Sequence, residues 1–326
     1  MNLLEQQAAN RRRTWAVMIV FVAFLAFLGA GFDLFVIGGG GGTYVPVGTT
    51  IALVVGFASS WASMRLGDRM VLASSSAEPL DQALANATTD EEKLRYHQFD
   101  NIVEEMALAA GLPKPATYIV PDADPNAFAT GRDPQHASLA VTEGLLQALN
   151  REELQGVVAH EMSHIRNFDI RLMMIVAALV GAVALMADWA GRGMRFGGLR
   201  GRSRRDNDRD GAGAAGAIFF VLWIVAIILA PIVGRLLAMW VSRTREYQAD
   251  ASGAQLTRNP LGLASALEKI ESAVEPTSAI KRGTAHLCIA DPMGQVAEGE
   301  NRLSGLWATH PPMAKRIAAL KQMAYQ

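Results

Sequence analysis

The chain has 326 residues, of which 51% are hydrophobic and only 19% are charged, and its formal net charge is −1. This balance offers no strongly basic surface, so no nucleic-acid partner is expected. The single cysteine, Cys288, cannot form an internal disulfide, which is typical of a reducing compartment. Because the apolar residues come in long uninterrupted blocks, the composition predicts a membrane protein with a soluble part.

The first segment, residues 1–64, predicts a transmembrane hairpin. Residues 15–32 carry no charge, and neither do residues 34–64. Three arginines at positions 11–13 precede the first span, and Arg65 follows the second. By the positive-inside rule, both ends of this hairpin lie in the cytoplasm.

The second segment, residues 65–171, predicts the first half of a soluble α+β domain. Helical spacing over residues 88–112 is followed by three short strand-like stretches, which predict a small antiparallel sheet. An exposed edge of such a sheet can take an extended peptide as an added strand. The candidate edge is Asn126, Ala127, Phe128 and Ala129, although an ordinary buried hairpin explains the same spacing.

The soluble segment contains an H-E-x-x-H motif, formed by His160, Glu161 and His164. On a helix, positions four apart lie on one face, so both imidazoles can bind one metal ion. Glu161 lies beside them, where it can act as a base on a water molecule that the metal activates. Asn150 and Glu153 predict a capped helix start ten residues earlier.

The third segment, residues 172–240, predicts a second transmembrane hairpin. Residues 172–187 and 211–234 are uncharged, and the intervening loop 191–210 is rich in arginine and glycine. If ligands before and after this hairpin share one metal ion, the chain must return to the side it left. The arginines of the loop favour the cytoplasmic side, so the side of the loop stays open.

The last segment, residues 241–326, predicts the second half of the soluble domain. Glu246 and Asp250 are four residues apart on a predicted helix. A catalytic zinc site typically has three protein ligands and one open position, so Glu246 is the candidate third ligand. Asp250 can accept the N–H on the far side of a ligand imidazole, most simply that of His160. A solvated helix face is the alternative interpretation of this pair.

Near the C-terminus, His310 opens a His-Pro-Pro turn and Arg316 follows on the next predicted helix. The prolines restrict the backbone and give the His310 side chain a set direction. Both residues are candidates for stabilising the oxyanion of a tetrahedral intermediate. An ordinary helix start with an arginine on a solvated face is the alternative.

Taken together, these motifs resemble the HtpX family of membrane zinc metalloproteases, which are related to the CAAX prenyl endopeptidases. The resemblance rests on the N-terminal hairpin, the N-A-F-A-T-G stretch from Asn126, the H-E-x-x-H motif with Asn167 and Asp169 after it, the R-E-Y-Q-A-D stretch from Arg245, and the H-P-P turn with Arg316 and Ile317 after it. It implies an α+β membrane protein with four transmembrane helices in two hairpins and a zincin-type domain. It also implies that His160, His164 and Glu246 bind one zinc ion per chain.

The resemblance further implies that Glu161 is the catalytic base and that Asp250 supports the metal ligands. The expected activity is hydrolysis of misfolded or damaged proteins at the cytoplasmic (inner) membrane, with the catalytic domain facing the cytoplasm. The partners are then unfolded protein substrates and the lipid bilayer. The motifs are also compatible with a CAAX-type prenyl-protein endopeptidase, or with a non-catalytic, zinc-stabilised membrane chaperone or adaptor.

Overall fold

The computed structural model describes residues 3–34, 46–175, 218, 221–226, 245–273, 288–290 and 311–325, which are mostly helical. Residues 169–175, 221–226 and 245–257 are also helical. The bounded helices are α1 (Leu3–Phe32), α2 (Val47–Ser74), α3 (Leu80–Asn86), α4 (Asp90–Ala110), α5 (Glu143–Ala148), α6 (Arg151–Arg166), α7 (Pro260–Glu271) and α8 (Met313–Met323). The strands are β1 (Glu78–Pro79), β2 (Ala116–Val120), β3 (Ala127–Gly131) and β4 (Ala137–Thr142).

The chain divides into two compact units. One unit comprises residues 1–14, 63–177 and 238–326, and it contains the sheet and helices α3 to α8. The other comprises residues 15–62 and 178–237. The soluble domain is therefore assembled from stretches that lie far apart in the sequence.

Within the second unit, the described residues form the predicted N-terminal hairpin. Two helices are long and apolar enough to cross a membrane, over Thr14–Phe32 and Val47–Ser74. The carboxylate of Asp33 accepts hydrogen bonds from the backbone N–H groups of Gly48 and Thr49, so it caps the start of α2. The second hairpin, predicted over residues 172–240, lies largely outside the described residues.

The sheet corrects one prediction, because it is mixed and not antiparallel. Its strand order is β1-β2-β4-β3, with β2 and β4 parallel and the two outer pairs antiparallel. The chain reverses direction twice between β2 and β4, so these two strands run the same way, and β4 inserts between its predecessors. All six residues of β4 are buried, which is typical of a central strand.

Helix α6 lies at the centre of the soluble unit, against α4, α7 and β3. The predicted capping box is present: Asn150 accepts from the N–H of Glu153, and the Glu153 carboxylate accepts from the N–H of Asn150. Gly156 allows α6 to approach α7 closely, since a Cβ there would come within 2.9 Å of the backbone of Leu263. Burial of α6 keeps the H-E-x-x-H residues out of water.

Candidate metal centre

The two motif histidines face each other across one turn of α6. Their ring centroids are 4.8 Å apart, with the rings nearly perpendicular, and the Nε2 atoms of His160 and His164 are separated by 3.2 Å. Neither side chain is exposed by more than a few per cent. The predicted helix therefore brings both imidazoles to one point, as the four-residue spacing requires.

The third candidate ligand reaches the same point from the helical stretch 245–257. The carboxylate oxygens of Glu246 lie 3.6 Å from Nε2 of His160 and 3.6 Å from Nε2 of His164. Gly253 lets this helix approach α6, because a Cβ there would lie 3.0 Å from the backbone nitrogen of His160. One donor atom from each of the three residues lies within 4.8 Å of the others.

These distances fit a metal. In a tetrahedral zinc site with bonds of about 2.0–2.1 Å, neighbouring ligand atoms are about 3.3–3.4 Å apart. The observed spacings of 3.2 and 3.6 Å bracket this value.

The tautomers of the histidines point to the same conclusion. Oδ1 of Asp250 lies 2.9 Å from Nδ1 of His160, and Oδ2 of Asp169 lies 3.2 Å from Nδ1 of His164. The Asp250 contact is short, although its alignment is not that of a hydrogen bond. A carboxylate beside each Nδ1 favours the proton on that nitrogen. In the neutral imidazoles, both Nε2 lone pairs are then directed at one spot, where a cation stabilises them.

The buried charges around the histidines also call for a cation. Among the described residues, four carboxylates are buried here, from Glu161, Asp169, Glu246 and Asp250, and two buried arginines accompany them, Arg245 and Arg316. Taken as ionised, these groups carry a formal charge of −2, which a divalent ion neutralises. Burial by itself lowers the pKa of His164, but hydrogen bonds to Asp169 and Glu246 outweigh burial and raise this pKa to about 10. The site thus attracts positive charge.

Glu161 lies beside the three candidate ligands but is not one of them. It is 1% exposed, and its Oε2 atom has no hydrogen-bond partner among the residues that the structure describes. Burial, followed by repulsion from Glu246, raises the pKa of Glu161 above its ordinary value, although the two histidines oppose the shift. A raised carboxylate pKa suits a group that must accept a proton and then give it up near neutral pH.

Arg316 enters the site, as predicted, but most of its donors are already engaged. Its Nε and Nη2 atoms donate to the two oxygens of Asp250 at 2.8 and 2.7 Å, and Nη1 lies 3.1 Å from Oε2 of Glu246. Its side chain is completely buried, so the solvated-face alternative is wrong. Although burial raises the pKa of Asp250, the guanidinium lowers it below its ordinary value. These contacts support a role in holding Asp250 and Glu246; donation to an oxyanion stays a prediction.

A second support was not predicted from the sequence. Asp169, next to Nδ1 of His164, accepts a hydrogen bond of 2.7 Å from Nη1 of Arg245. Asp169 follows the motif by only five residues, so a carboxylate just beyond the second histidine was the available signal. Each ligand histidine therefore has its own carboxylate and its own buried arginine.

The candidate substrate strand, β3, is an edge strand, as predicted. Part of its outer side is already paired with the chain itself. The N–H of Ile289 donates to the carbonyl of Ala127 at 3.0 Å, Asn126 Nδ2 donates to the carbonyl of Ala290, and Phe128 forms an antiparallel bridge with Cys288. The N–H of Ala129, further along the strand, is directed at the carboxylate of Glu161. The half of β3 nearest the motif therefore remains the candidate for substrate.

Of the other predicted site residues, Asn126 to Ala129 are all buried, and His310 lies outside the described residues. The described C-terminal helix, α8, begins at Met313, directly after the His-Pro-Pro turn.

Comparison with known proteins identifies the family. The model of peptidase family M48 matches residues 93–324, a range that contains all three candidate ligands. The chain belongs to peptidase family M48. A relative named Protease HtpX homolog, from Thermoanaerobacter pseudethanolicus, is 42% identical over 321 residues and is covered over 98% of both chains. Another of that name, from Limosilactobacillus fermentum, is 43% identical over 323 residues, with 98% of this chain and 100% of the relative covered.

The predicted HtpX resemblance is thus confirmed, and this M48 peptidase is a membrane metalloprotease, a hydrolase of peptide bonds that depends on a metal. Among solved structures, the crystal structure of S. mikatae Ste24p is similar, with a TM-score of 0.48 and 17% sequence identity. That match covers 97% of this chain and 67% of the Ste24p chain.

Proposed function

We propose that the protein is a zinc-dependent endopeptidase of the cytoplasmic membrane that cleaves misfolded or damaged membrane proteins. His160, His164 and Glu246 bind one zinc ion per chain, and Glu161 is the base. The observation that carries this proposal is the pair of Nε2 atoms 3.2 Å apart, with the Glu246 carboxylate beside them and a buried carboxylate on each Nδ1 side. Zinc accepts this mixture of nitrogen and oxygen ligands with one position left open.

The chemistry divides between the ion and the chain. Bound zinc acidifies a water ligand and polarises a carbonyl oxygen. Glu161 takes the proton of the attacking water on its unpartnered Oε2 and later delivers it to the leaving amine. Asp250 and Asp169 hold the imidazoles in one tautomer, and Arg316 and Arg245 hold those two carboxylates in place.

We place the substrate as an added strand beside Ala129 of β3, antiparallel or parallel to it. Backbone pairing recognises any extended peptide without demanding particular side chains, as an enzyme of protein quality control requires. Asn126, Ala127 and Phe128 then border the substrate, because Ile289 and its neighbours already pair with that half of the strand. His310 remains a candidate donor to the oxyanion.

We also propose a multi-pass topology with four spans and both soluble parts in the cytoplasm. The two candidate spans support the first hairpin, and the shared metal site supports a common side for residues 65–171 and 241–326. With Cys288 replaced, single cysteines near Thr89 and Gln322 are expected to react with an impermeant reagent only from the cytoplasmic face. Reaction of either one from outside contradicts the topology.

The function is tested by casein or unfolded membrane-protein cleavage with purified protein, with and without a chelator. Glu161→Gln is expected to lower kcat by about 10²–10⁴-fold, because the base is lost, while bound zinc stays near one per chain. Glu246→Ala should lose the metal as well. The matched control is Glu152→Gln, an exposed carboxylate on the same helix. Retained activity in Glu161→Gln, or loss of its zinc, overturns the assignment of roles.

A further inference from the structure

A cationic cavity lies within the soluble unit, beside the part of α2 that belongs to that unit. Its volume is about 280 Å³, and it is lined by Met64, Arg65, Arg132, Asp133 and Arg171. These residues come from α2, from the connection between β3 and β4, and from the helical stretch 169–175. Among the described residues, the lining thus holds three arginines and one aspartate, which gives it an excess of formal positive charge.

The charge of Arg171 is poorly compensated. Nη2 of Arg171 donates only to the thioether of Met64 at 3.7 Å, and Nε of Arg171 is buried with no hydrogen-bond partner among the residues that the structure describes. The single carboxylate, Asp133, lies 3.5 Å from Nε of Arg132 and 2.6 Å from Nδ1 of His136, so it is shared. A thioether is a weak acceptor for a guanidinium, and an anion in the cavity offers the terminal N–H groups of Arg171 a stronger one.

The chemistry and size of the cavity select the ligand class. The planar fork of arginine matches the oxygens of a phosphate or carboxylate, and two such forks from different elements suit a tetrahedral phosphate. Pockets for drug-sized molecules begin at about 300 Å³. This cavity therefore suits a phosphate with a short attached group and not a large soluble metabolite.

The position of the cavity along the chain points to lipid as the source. Met64 is the last residue of the uncharged stretch of α2, and Arg65 is the first charged residue after it. Trp61, one helical turn earlier, is 60% exposed, and exposed tryptophans mark the headgroup level of a bilayer. The cavity therefore lies at the depth where phospholipid phosphates are found.

We propose that this cavity binds the phosphate of an anionic phospholipid. Arg132 and Arg171 are its main donors. Arg171 lies two residues after Asp169, the partner of His164, and Arg132 follows Gly131, the last residue of β3. A lipid phosphate held there links the substrate strand to the support of a metal ligand. This inference goes beyond the proposed peptidase function, and its test does not depend on peptide cleavage.

The test is lipid binding to the full-length protein in detergent, measured by native mass spectrometry with phosphatidylglycerol and with phosphatidylcholine. Phosphatidylglycerol is expected to bind preferentially, and Arg171→Gln or Arg132→Gln should weaken it by about 10–100-fold, the value of a hydrogen bond to a charged group. The matched control is Arg151→Gln, an exposed arginine elsewhere on the soluble unit.

Asp133→Ala provides the opposite change. It removes the one carboxylate among the described lining residues, so phosphatidylglycerol binding should become tighter, a result that misfolding does not produce. Inorganic phosphate is the second probe: competition with phosphatidylglycerol shows that the phosphate is the bound group. Two outcomes overturn the proposal. One is binding of inorganic phosphate without lipid binding. The other is equal weakening, of about fivefold per arginine, in all three Arg→Gln variants, as general surface attraction predicts.

Discussion

The two ligand histidines have similar supports that are built from different parts of the chain. His164 is paired with Asp169, only five residues away, and Arg245 lies behind it. His160 is paired with Asp250, and Arg316, which lies 66 residues after Asp250 in the sequence, donates a hydrogen bond to it. In the first support, the histidine and its carboxylate come from α6 and the residues directly after it. In the second support, His160, Asp250 and Arg316 come from three segments that lie far apart in the sequence.

The second support is also the more rigid. Arg316 binds both oxygens of Asp250, reaches Glu246, and donates to the carbonyl of Ile289 at 2.9 Å. Paired charge-assisted hydrogen bonds fix orientation as well as position. The arginine behind His160 therefore joins a metal ligand, an orienting carboxylate and the segment that covers part of the substrate strand. We infer that folding of the C-terminal helix completes the metal site.

The largest difference is expected when the arginines are removed. Arg316→Met leaves Asp250 as a buried charge without its partner, and breaking such a pair costs about 3–5 kcal/mol. Arg245→Met should cost less, because local structure keeps Asp169 near His164. The measurement is the unfolding free energy of the full-length protein in detergent. Arg316→Lys should recover part of the loss, and equal losses at the two positions contradict the comparison.

Removal of the Asp250 carboxylate should also lower metal affinity more than removal of the Asp169 carboxylate. Loss of such a partner typically costs about 10–100-fold in metal affinity or activity. We expect Asp250→Asn near the upper end and Asp169→Asn near the lower end, because Asp250 is also tied, through Arg316, to the segment beside the substrate strand. Competition with a zinc chelator measures the affinities. Wild-type affinity in Asp250→Asn assigns this residue to folding alone.

What the sequence could predict followed from local spacing. The four-residue periods of His160 and His164, and of Glu246 and Asp250, identified both faces of the metal site, and the capping box identified the start of α6. The uncharged stretch of α2 ends at Met64, but the helix runs on to Ser74, because charged residues mark a membrane boundary and do not end a helix.

Features that depend on long-range packing were not predicted. The insertion of β4 between β2 and β3 depends on how the strands assemble, and nothing in their local pattern distinguishes a mixed sheet from an antiparallel one. The pairing of Ile289 with Ala127 joins two stretches with no shared motif. The pairing of Arg316 with Asp250 was missed for the same reason, because the two residues lie 66 positions apart and share no local pattern.

Gly253 packs against the backbone of His160. A methyl group there would lie 3.0 Å from the backbone nitrogen and 3.2 Å from Cα of His160. Gly253→Ala must therefore move the helix of Glu246 and Asp250 by a few tenths of an ångström. We expect metal affinity to fall by roughly tenfold, the low end of the effect of losing an orienting partner. Gln255→Ala, an exposed change on the same helix, is the control.

The smallest effect is expected at the start of α6, far from both histidines. Glu153 accepts from the N–H of Asn150 at 2.8 Å, from Lys269 at 2.7 Å and from Ser265 at 2.7 Å. Burial raises its pKa, but these partners outweigh burial and hold the pKa of Glu153 below the ordinary value of 4.5. A lowered pKa means that the stabilisation is present above pH 4.5 and is lost as the pH falls through the folded-state value.

Glu153→Gln should therefore destabilise the protein by roughly 1 kcal/mol at neutral pH, since it weakens a helix cap and an ion pair whose lysine is half exposed. The loss should shrink below pH 4.5, where the wild-type carboxylate also takes up a proton. Metal affinity and kcat should stay at wild-type values, because Glu153 contacts neither support. Unfolding measured across this pH range, with Glu152→Gln as the exposed control, checks the prediction. A fall in zinc affinity in Glu153→Gln instead means that the start of α6 and the two supports form one cooperative unit. The supports of His160 and His164 then differ in the sequence distance between their residues and not in stability.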